Sequence, residues 1–518
     1  MQFQFWLQER LLSVSCHLQN VPTISYAQLS GGQKSERLFE EKYSRLIVSI
    51  LVFLILFSPL AYGSVDPWAY NLIRVGILIM LAAGLMRTAN ARNFPASSSS
   101  FIIPALLFLA LLAVQLTPIP LWLRELLSPV PSSHSLILPS IPEYGQKPLE
   151  STWTQLSLYP PATWEGALDF LAFLALVWVV LNVIRPNEGQ RTVLYSLVGI
   201  GGLQAIYGLF EYLTGRQGIF FFPKLHYRED VTGTYINHNH FAGLMELTLP
   251  IVIAMLWAGL PTERDSSVLL SKGKKPAKFV KCLFVPLGLL SIMLISLVLS
   301  HSRGGLISTG ISILVLLSIL VQYRRSLNSR WVPLVFTMVL VVLMFLSSEL
   351  LSRFSYSFRD APERMGVWRD SIRIVKDFPL WGTGLGSFKY VLLNYRHKVD
   401  ILMVDGVPRQ ANWNYAHNDY LQLLVECGLL GLLLAGWAIM LWVRQFLAGL
   451  KKTLAPEDRI LRCGLGCSVI AMLIHSFVDF NLHIPANAFL FAVCASLATN
   501  YGSVGNGTEG ETNERNEM

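Results

Sequence analysis

The chain contains about twelve separate runs of roughly 18–20 mainly apolar residues, and this repetition limits its possible folds more than any other feature. A helix of that length matches the hydrocarbon thickness of a bilayer. Hydrophobic residues make up 53% and charged residues 14% of the 518 positions, which argues against a soluble protein. The strands of a membrane β-barrel would alternate apolar and polar residues over about ten positions. The sequence therefore predicts an all-α polytopic membrane protein.

The predicted spans are separated by polar links, and the longest of these is a large polar loop between the ninth and tenth spans. Their expected bounds are 45–64, 70–86, 101–117, 165–184, 192–211, 241–259, 282–300, 304–321, 332–349, 419–443, 461–478 and 485–500. The expected organisation is a cytoplasmic leader over 1–44, transmembrane helices 1–9 over 45–350, an extracytoplasmic loop over 351–417, transmembrane helices 10–12 over 418–500 and a disordered cytoplasmic tail over 501–518.

The basic residues of the short links indicate the orientation. The links at 87–92, 185–191 and 272–278 are rich in Lys and Arg, whereas those at 65–69 and 479–484 contain neither. Because short cytoplasmic loops carry the excess of basic residues, the N-terminus is expected inside. The polar segment 351–417 then lies outside although it contains ten Lys and Arg residues, since long loops cross largely regardless of charge. Its positive charge therefore needs a separate explanation.

His417 is the first candidate for chemistry, because it lies where the polar segment meets the tenth span. In one interpretation it is an interfacial residue at a helix start, with Asn418 or Asp419 as the cap. In the other, the imidazole is a general base, since it titrates near neutrality and can accept a proton from a sugar hydroxyl.

Arginines form the second candidate group. Arg303 lies between two apolar runs, where it either extends to lipid phosphate or binds a partner. Arg364 and Trp368 are four residues apart, as are Arg369 and Arg373, so each pair should share a helix face. Guanidinium groups suit bidentate binding of phosphate oxygens. The alternative for this segment is a solvated basic loop that faces anionic lipid.

Other polar residues support weaker hypotheses. His238 and His240 lie at alternate positions without a Cys or acidic cluster, so hydrogen bonding to a sugar or to the loop is favoured over a metal site. Glu246 and Glu426 lie inside predicted spans. They are expected either to be partners for arginines or to form buried structural ion pairs. The glycines of the 382–386 segment predict a turn with positive φ or a close backbone approach to a ligand.

Several of these residues together resemble the signature of the O-antigen ligase/polymerase superfamily. The resemblance rests on three groups of residues: His417, Asn418, Asp419, Tyr420, Leu421, Glu426, Gly428, Leu429 and Gly431; the upstream Arg364, Trp368, Pro379, Gly382, Gly384, Gly386 and Phe388; and the turn Ser302, Arg303 and Gly304. It covers roughly 230–440 well and the first 200 residues by topology alone.

The resemblance implies a GT-C-type glycosyltransferase that needs neither metal nor cofactor. Its expected location is the bacterial inner membrane, with the active site facing the periplasm. Its expected partners are an undecaprenyl-diphosphate-linked glycan donor, a glycan or lipid A-core acceptor and membrane lipid, with no nucleic acid. By this resemblance, Arg303, Arg364 and Arg369 hold the diphosphate and His417 activates the acceptor hydroxyl. Supporting roles are expected for Asn418, Glu426, His238 and His240.

The resemblance leaves the acceptor open, because it is shared by ligases, by polymerases of O-antigen, capsule or exopolysaccharide repeats and by protein glycosylases. Ligase-type transfer to a different acceptor is slightly favoured. A transporter or flippase is disfavoured because the charges of interest cluster at one face rather than at the membrane midplane. An assembly scaffold would leave the arginines and His417 without a common task.

Overall fold

The computed structural model of the chain is a bundle of helices packed around a core centred on one helix. It describes residues 31–90, 99–128, 153–184, 188–216, 218–259, 277–323, 360–396, 401–404, 407–410, 413–451 and 455–502. Fourteen α-helices lie within this described part. They are α1 (Gly31–Leu60), α2 (Pro67–Asn90), α3 (Ile102–Leu116), α4 (Leu121–Leu127), α5 (Pro160–Asn182), α6 (Glu188–Thr214), α7 (His238–Ala258), α8 (Ala277–Leu299), α9 (Arg303–Tyr323), α10 (Asp360–Asp377), α11 (Phe388–Tyr395), α12 (Asp419–Lys451), α13 (Pro456–His475) and α14 (Pro485–Asn500).

The strands are short antiparallel pairs in the links between helices. β1 (Ile119–Pro120) pairs with β2 (Trp153–Thr154), β3 (Gly218–Ile219) with β4 (Phe222–Pro223) and β5 (Ile401–Val404) with β6 (Val407–Gln410). Short 3-10 turns lie at Tyr62–Ser64, Ser99–Phe101 and Asn481–His483. The links therefore add local structure without forming a larger sheet.

The structure is that of an all-α multi-pass membrane protein, as the sequence predicts. Every predicted span except 332–349 coincides with a helix, and that span lies outside the described residues. Within the described part, seven helices are long and apolar enough to cross a membrane, namely α1, α2, α5, α6, α7, α9 and α12. The number of twelve spans stays a prediction, since α3, α8, α13 and α14 are helices outside this set.

Helix α7 is the centre of the bundle. In its most apolar stretch 83% of the residues are buried, against 28–56% in the other six helices of this set. Its neighbours are α6, α8, α9 and α13, and its own core side chains include Phe241, Leu244, Met245 and Ile251. A helix buried on all sides should be apolar all round. The acidic Glu246 is therefore an exception that needs polar partners inside the bundle.

Helix α12 is broken inside its predicted span. Residues 379–386, a part of the polar segment 351–417, fill the break. Gly428 has φ 63° and ψ −167°, which interrupts the helical hydrogen bonds. The N–H groups of Thr383 and Gly384 donate to the carbonyls of Val425 and Glu426, and Leu429 N–H donates to Pro379 O. Irregular backbone at membrane depth is tolerated where protein satisfies it. The polar segment is thus attached to a candidate membrane helix.

Positive φ at the glycines of this segment confirms the predicted turn. Gly382, Gly384 and Gly386 have φ of 71°, 106° and 79°. A Cβ atom at Gly382 would overlap the backbone of Glu426, and one at Gly384 would overlap the hydroxyl oxygens of Ser157 and Thr163. The backbone of these glycines therefore lies close to other parts of the protein.

Candidate functional site at one end of the helix bundle

His417 is fixed in an uncommon backbone conformation directly before α12. Its φ is 50°, which few residues other than glycine adopt. Its ring meets Trp413 and Phe480 edge to face, with centroids 5.4 and 4.7 Å away. Asn418 provides the cap, because its Oδ1 accepts a hydrogen bond from Leu421 N–H at 2.9 Å. The structure therefore assigns the cap to Asn418 and leaves the imidazole of His417 outside that role.

Asp479 joins His417 to Arg364. Its Oδ1 lies 3.7 Å from His417 Nδ1 and its Oδ2 lies 4.0 Å from Arg364 Nη2. Arg364 also donates through Nη1 to the carbonyl of Val478 at 2.9 Å. The Asp479 side chain is only 2% exposed, whereas those of His417 and Arg364 are 16% and 34% exposed. A buried carboxylate therefore lies within ion-pair distance of two partly exposed side chains.

Asp479 stays ionised at neutral pH. Burial acts to raise the pKa of its carboxyl, but the contact with His417 and the nearby imidazoles of His475 and His240 hold that pKa well below its ordinary value. Nδ1 of His417 faces this carboxylate at 3.7 Å, which is longer than a hydrogen bond, so the two groups interact through charge. Nε2 is the ring nitrogen that does not face Asp479.

Helix α10 brings Arg364 to His417 through the predicted i,i+4 pair. Trp368 lies one turn after Arg364, and its Nε1 donates to the carbonyl of Ala416 at 2.8 Å. That carbonyl belongs to the residue directly before His417. Arg369 lies on an exposed part of α10, five residues from Arg364 and so on a different helix face. The structure thus places Arg364, but not Arg369, beside His417.

Arg303 begins α9 at the same end of the bundle. Ser302 caps the helix, because its Oγ accepts a hydrogen bond from Gly305 N–H at 3.2 Å. A Cβ atom at Gly304 would overlap the imidazole of His475, so the α9 terminus packs tightly on the end of α13. His475 is four residues before Asp479 in the chain. The predicted Arg303 is therefore held next to the link that carries Asp479.

His238 and His240 have different partners and do not form one site. Asp230 lies 2.8 Å from His238 Nδ1 through Oδ2 and 2.6 Å from His301 Nδ1 through Oδ1. Burial acts to raise the pKa of the Asp230 carboxyl, but both imidazoles lower it well below its ordinary value. His240 is buried with its ring edge-on to Phe480 at 4.8 Å. His238 therefore has a charged partner in the link before α7, and hydrogen bonding to a sugar or to the loop stays a prediction.

The partners found for the two membrane glutamates among the described residues include an imidazole, a hydroxyl and backbone N–H groups. Glu246 contacts Nδ1 of His475 at 3.1 Å and accepts a hydrogen bond from Ser308 Oγ at 2.5 Å. Glu426 accepts hydrogen bonds from the N–H groups of Gly386 at 2.8 Å and Phe388 at 3.2 Å. Glu246 therefore links α7, α9 and α13 beneath the site, and Glu426 holds the glycine turn. Within the described residues, no group of three or more His, Cys, Asp or Glu is arranged to hold a metal ion.

Asp479 is the site residue that sequence reasoning missed. It lies in the 479–484 link, which stands out in the sequence only because it lacks Lys and Arg. The available signal was an acidic residue directly after an apolar run, with no basic neighbour in its link. Such a carboxylate must find its partner elsewhere in the fold.

Comparison with known families gives a match to the middle of the chain. Residues 288–436 match a family described as O-antigen ligase. The match includes Arg303, Arg364 and His417 and ends before Asp479. No curated protein matches the chain. The family match confirms the resemblance to the O-antigen ligase superfamily and supports a membrane protein of polysaccharide biosynthesis, with a glycosyltransferase-type activity.

Proposed function

From the O-antigen ligase match and this site, we propose that the protein transfers a glycan from an undecaprenyl-diphosphate carrier to an acceptor hydroxyl. The reaction takes place at the periplasmic face of the bacterial inner membrane, with His417 as general base and Arg303 and Arg364 on the diphosphate. One observation supports this most directly: the buried Asp479 carboxylate contacts both His417 and Arg364. A base for the acceptor and a cation for the leaving group are thereby held at one point.

The proposed reaction is a single displacement at the anomeric carbon. The acceptor oxygen forms a bond to that carbon as its proton moves to Nε2 of His417. The bond between the anomeric carbon and the diphosphate oxygen breaks, and its electron pair leaves with the carrier diphosphate. Asp479 stabilises the imidazolium that forms, since its carboxylate stays ionised beside Nδ1.

The arginines stabilise the departing diphosphate. Arg364 is held by the Val478 carbonyl and by Asp479, so its guanidinium is oriented before substrate binds. Arg303 begins α9, where the positive end of the helix dipole also favours an anion. Preorganised charges aimed at developing negative charge are usually the largest catalytic contribution. Arg369, on another face of α10, is assigned a weaker outer contact with substrate.

The general-base assignment is tested in membranes supplied with lipid-linked glycan donor and acceptor. His417→Ala should abolish transfer while the protein still inserts and accumulates. The matched control is His226→Ala, because His226 is an exposed histidine of the α6–α7 link that takes no part in the site. Full transfer by the His417 variant would refute the assignment.

The glycans of a deletion strain distinguish a ligase from a polymerase. Polymer that stays on carrier lipid without attachment indicates a ligase, which is the activity favoured here. Accumulated single repeats on carrier lipid indicate a repeat-unit polymerase. A strain that accumulates lipid-linked glycan only on the cytoplasmic side would instead indicate a flippase and would refute the proposed transferase.

A further inference from the structure

The link between α6 and α7 contains an exposed aromatic hairpin. β3 and β4 pair Ile219 with Phe222, which leaves Phe220 and Phe221 as the two-residue turn. The side chains of Phe221 and Phe222 are 95% and 64% exposed, and that of Leu225 is 74% exposed. Large apolar groups so close together on a surface mark an interaction site. Residues 218–225 are called the Phe hairpin below.

The Phe hairpin is fixed against α6 rather than extended away from it. Phe220 N–H donates to Tyr207 Oη at 2.7 Å, and that hydroxyl donates to Glu211 Oε1 at 2.8 Å. Tyr62, after α1, contacts the rings of Phe220 and Phe222 edge to face. Tyr207 lies seven residues before the end of α6 at Thr214, which is about 10 Å back along the axis. The hairpin therefore lies beside the last turns of the helix.

Those last turns face lipid. Leu203, Ile206, Phe210 and Leu213 are all exposed and recur at helical spacing, so they form one apolar stripe along α6. Because α6 is long and apolar enough to span a membrane, this stripe is its lipid-facing side. The stripe continues to the end of the helix, at the level where the Phe hairpin folds back.

Basic residues flank the Phe hairpin. Arg216 and Arg228 are exposed on either side of it in the chain, and Arg216 donates to the Phe220 carbonyl at 2.5 Å. Aromatic rings with adjacent cations are the composition of segments that lie at the boundary between head groups and acyl chains. Phosphate groups of lipids are the natural partners of such cations.

We propose that the Phe hairpin binds phospholipid, with Phe221, Phe222 and Leu225 inserted at the head-group boundary of the bilayer. The partner is the bilayer itself, because the apolar residues lie at the depth of a lipid-facing helix end and the flanking charges match phosphate. The hairpin leads directly into Asp230 and α7. It therefore sets the depth, relative to the membrane surface, of His238 and His301, whose imidazoles contact Asp230. This proposal does not depend on the proposed transferase activity.

Photocrosslinking of the full-length protein in nanodiscs tests the proposal. p-Benzoylphenylalanine replaces Phe221, and the discs contain phospholipid with tritiated acyl chains. Because the Phe221 side chain is 95% exposed, the probe displaces no packed neighbour. The same probe at Leu203, on the α6 stripe, gives the full lipid signal. The probe at Met365, an exposed residue of α10 in the polar segment, gives the background.

The Phe221 probe should capture tritiated lipid at a level close to that of the Leu203 probe and several times that of the Met365 probe. Capture at the Met365 level would overturn the proposal. Capture of a protein partner in place of lipid, with the probe at Phe221, would also overturn it and would assign the hairpin to an assembly interface.

Discussion

Replacing Asp479 by Asn should reduce the rate of glycan transfer by two to three orders of magnitude. The Asp479 carboxylate lies 3.7 Å from Nδ1 of His417, both side chains are largely buried, and in the proposed reaction His417 gains a positive charge as it takes the acceptor proton. At an effective dielectric constant of about 20, opposite charges at this distance attract by roughly 4 kcal/mol. Since about 1.4 kcal/mol corresponds to a tenfold change in rate, the full loss would be on the order of 1,000-fold. Asn keeps the shape and one acceptor oxygen, which offsets part of the loss.

The assay is transfer from lipid-linked donor in membranes, with initial rates normalised to inserted protein. Asp419→Asn is the matched control. Asp419 is also a buried carboxylate in contact with an imidazole, that of His483 at 2.6 Å, but His417 and Arg364 are not its partners. A comparable loss in both variants would show that Asp479 acts only through packing and would refute the reasoning.

The pH dependence provides an independent check. The pKa of Asp479 is lowered from its ordinary value of 3.8, so its stabilising contacts are complete above that value and are lost only as the pH falls through the lowered pKa. Above the pH range in which imidazoles ordinarily titrate, the rate ratio of wild type to Asp479→Asn should therefore stay constant, from about pH 8 to pH 9. A ratio that falls toward one within this range would contradict the ionised state assigned to Asp479.

Three further outcomes are expected. Gly384→Ala should lower the free energy of unfolding by about 1–3 kcal/mol, whereas Gly366→Ala on α10, where a Cβ would meet no atom within 4 Å, should be neutral or stabilising. Thermal unfolding in detergent measures both variants. Equal stabilities would contradict the strain argument. Arg364→Lys should impair transfer far more than Arg369→Lys, because lysine lacks the guanidinium fork; equal rates would place both arginines in the same role. EDTA should leave the transfer rate unchanged, and a loss that Mg²⁺ or Zn²⁺ restores would make Asp230 and its imidazoles a metal-site hypothesis.

The helices could be predicted because apolar length is a strong and local signal. The spans at 241–259 and 485–500 coincide with α7 and α14 within a few residues. The break of α12 at Gly428 was not predicted, since a glycine inside an apolar run looks the same whether it continues a helix or ends one. Its effect depends on the carbonyl of Leu380 and its neighbours, which come from a distant part of the chain.

The candidate site was predictable only where residue type and spacing carry information. Spacing placed Arg364 and Trp368 on one face of α10. In the structure Arg364 contacts Val478, which precedes Asp479, and Trp368 contacts Ala416, which precedes His417. Spacing could not show that Asp479 would lie under His417, because 62 positions separate them and the contact exists only once α13 packs against the start of α12. The same limit applies to Asp230 and His301, which come together from different links.

The filled break in α12 has a consequence for engineering chimeric enzymes. The segment 379–386 supplies hydrogen-bond partners to α12 between Val425 and Leu430, so segment and helix form one structural unit. Suppose the polar loop is exchanged between related proteins, with the junction placed between the glycine turn and α12. The glycine turn would then come from one protein and α12 from the other, and their hydrogen bonds would no longer match. Exchange boundaries placed before Asp360 and after Gly431 would transfer the unit intact, together with His417.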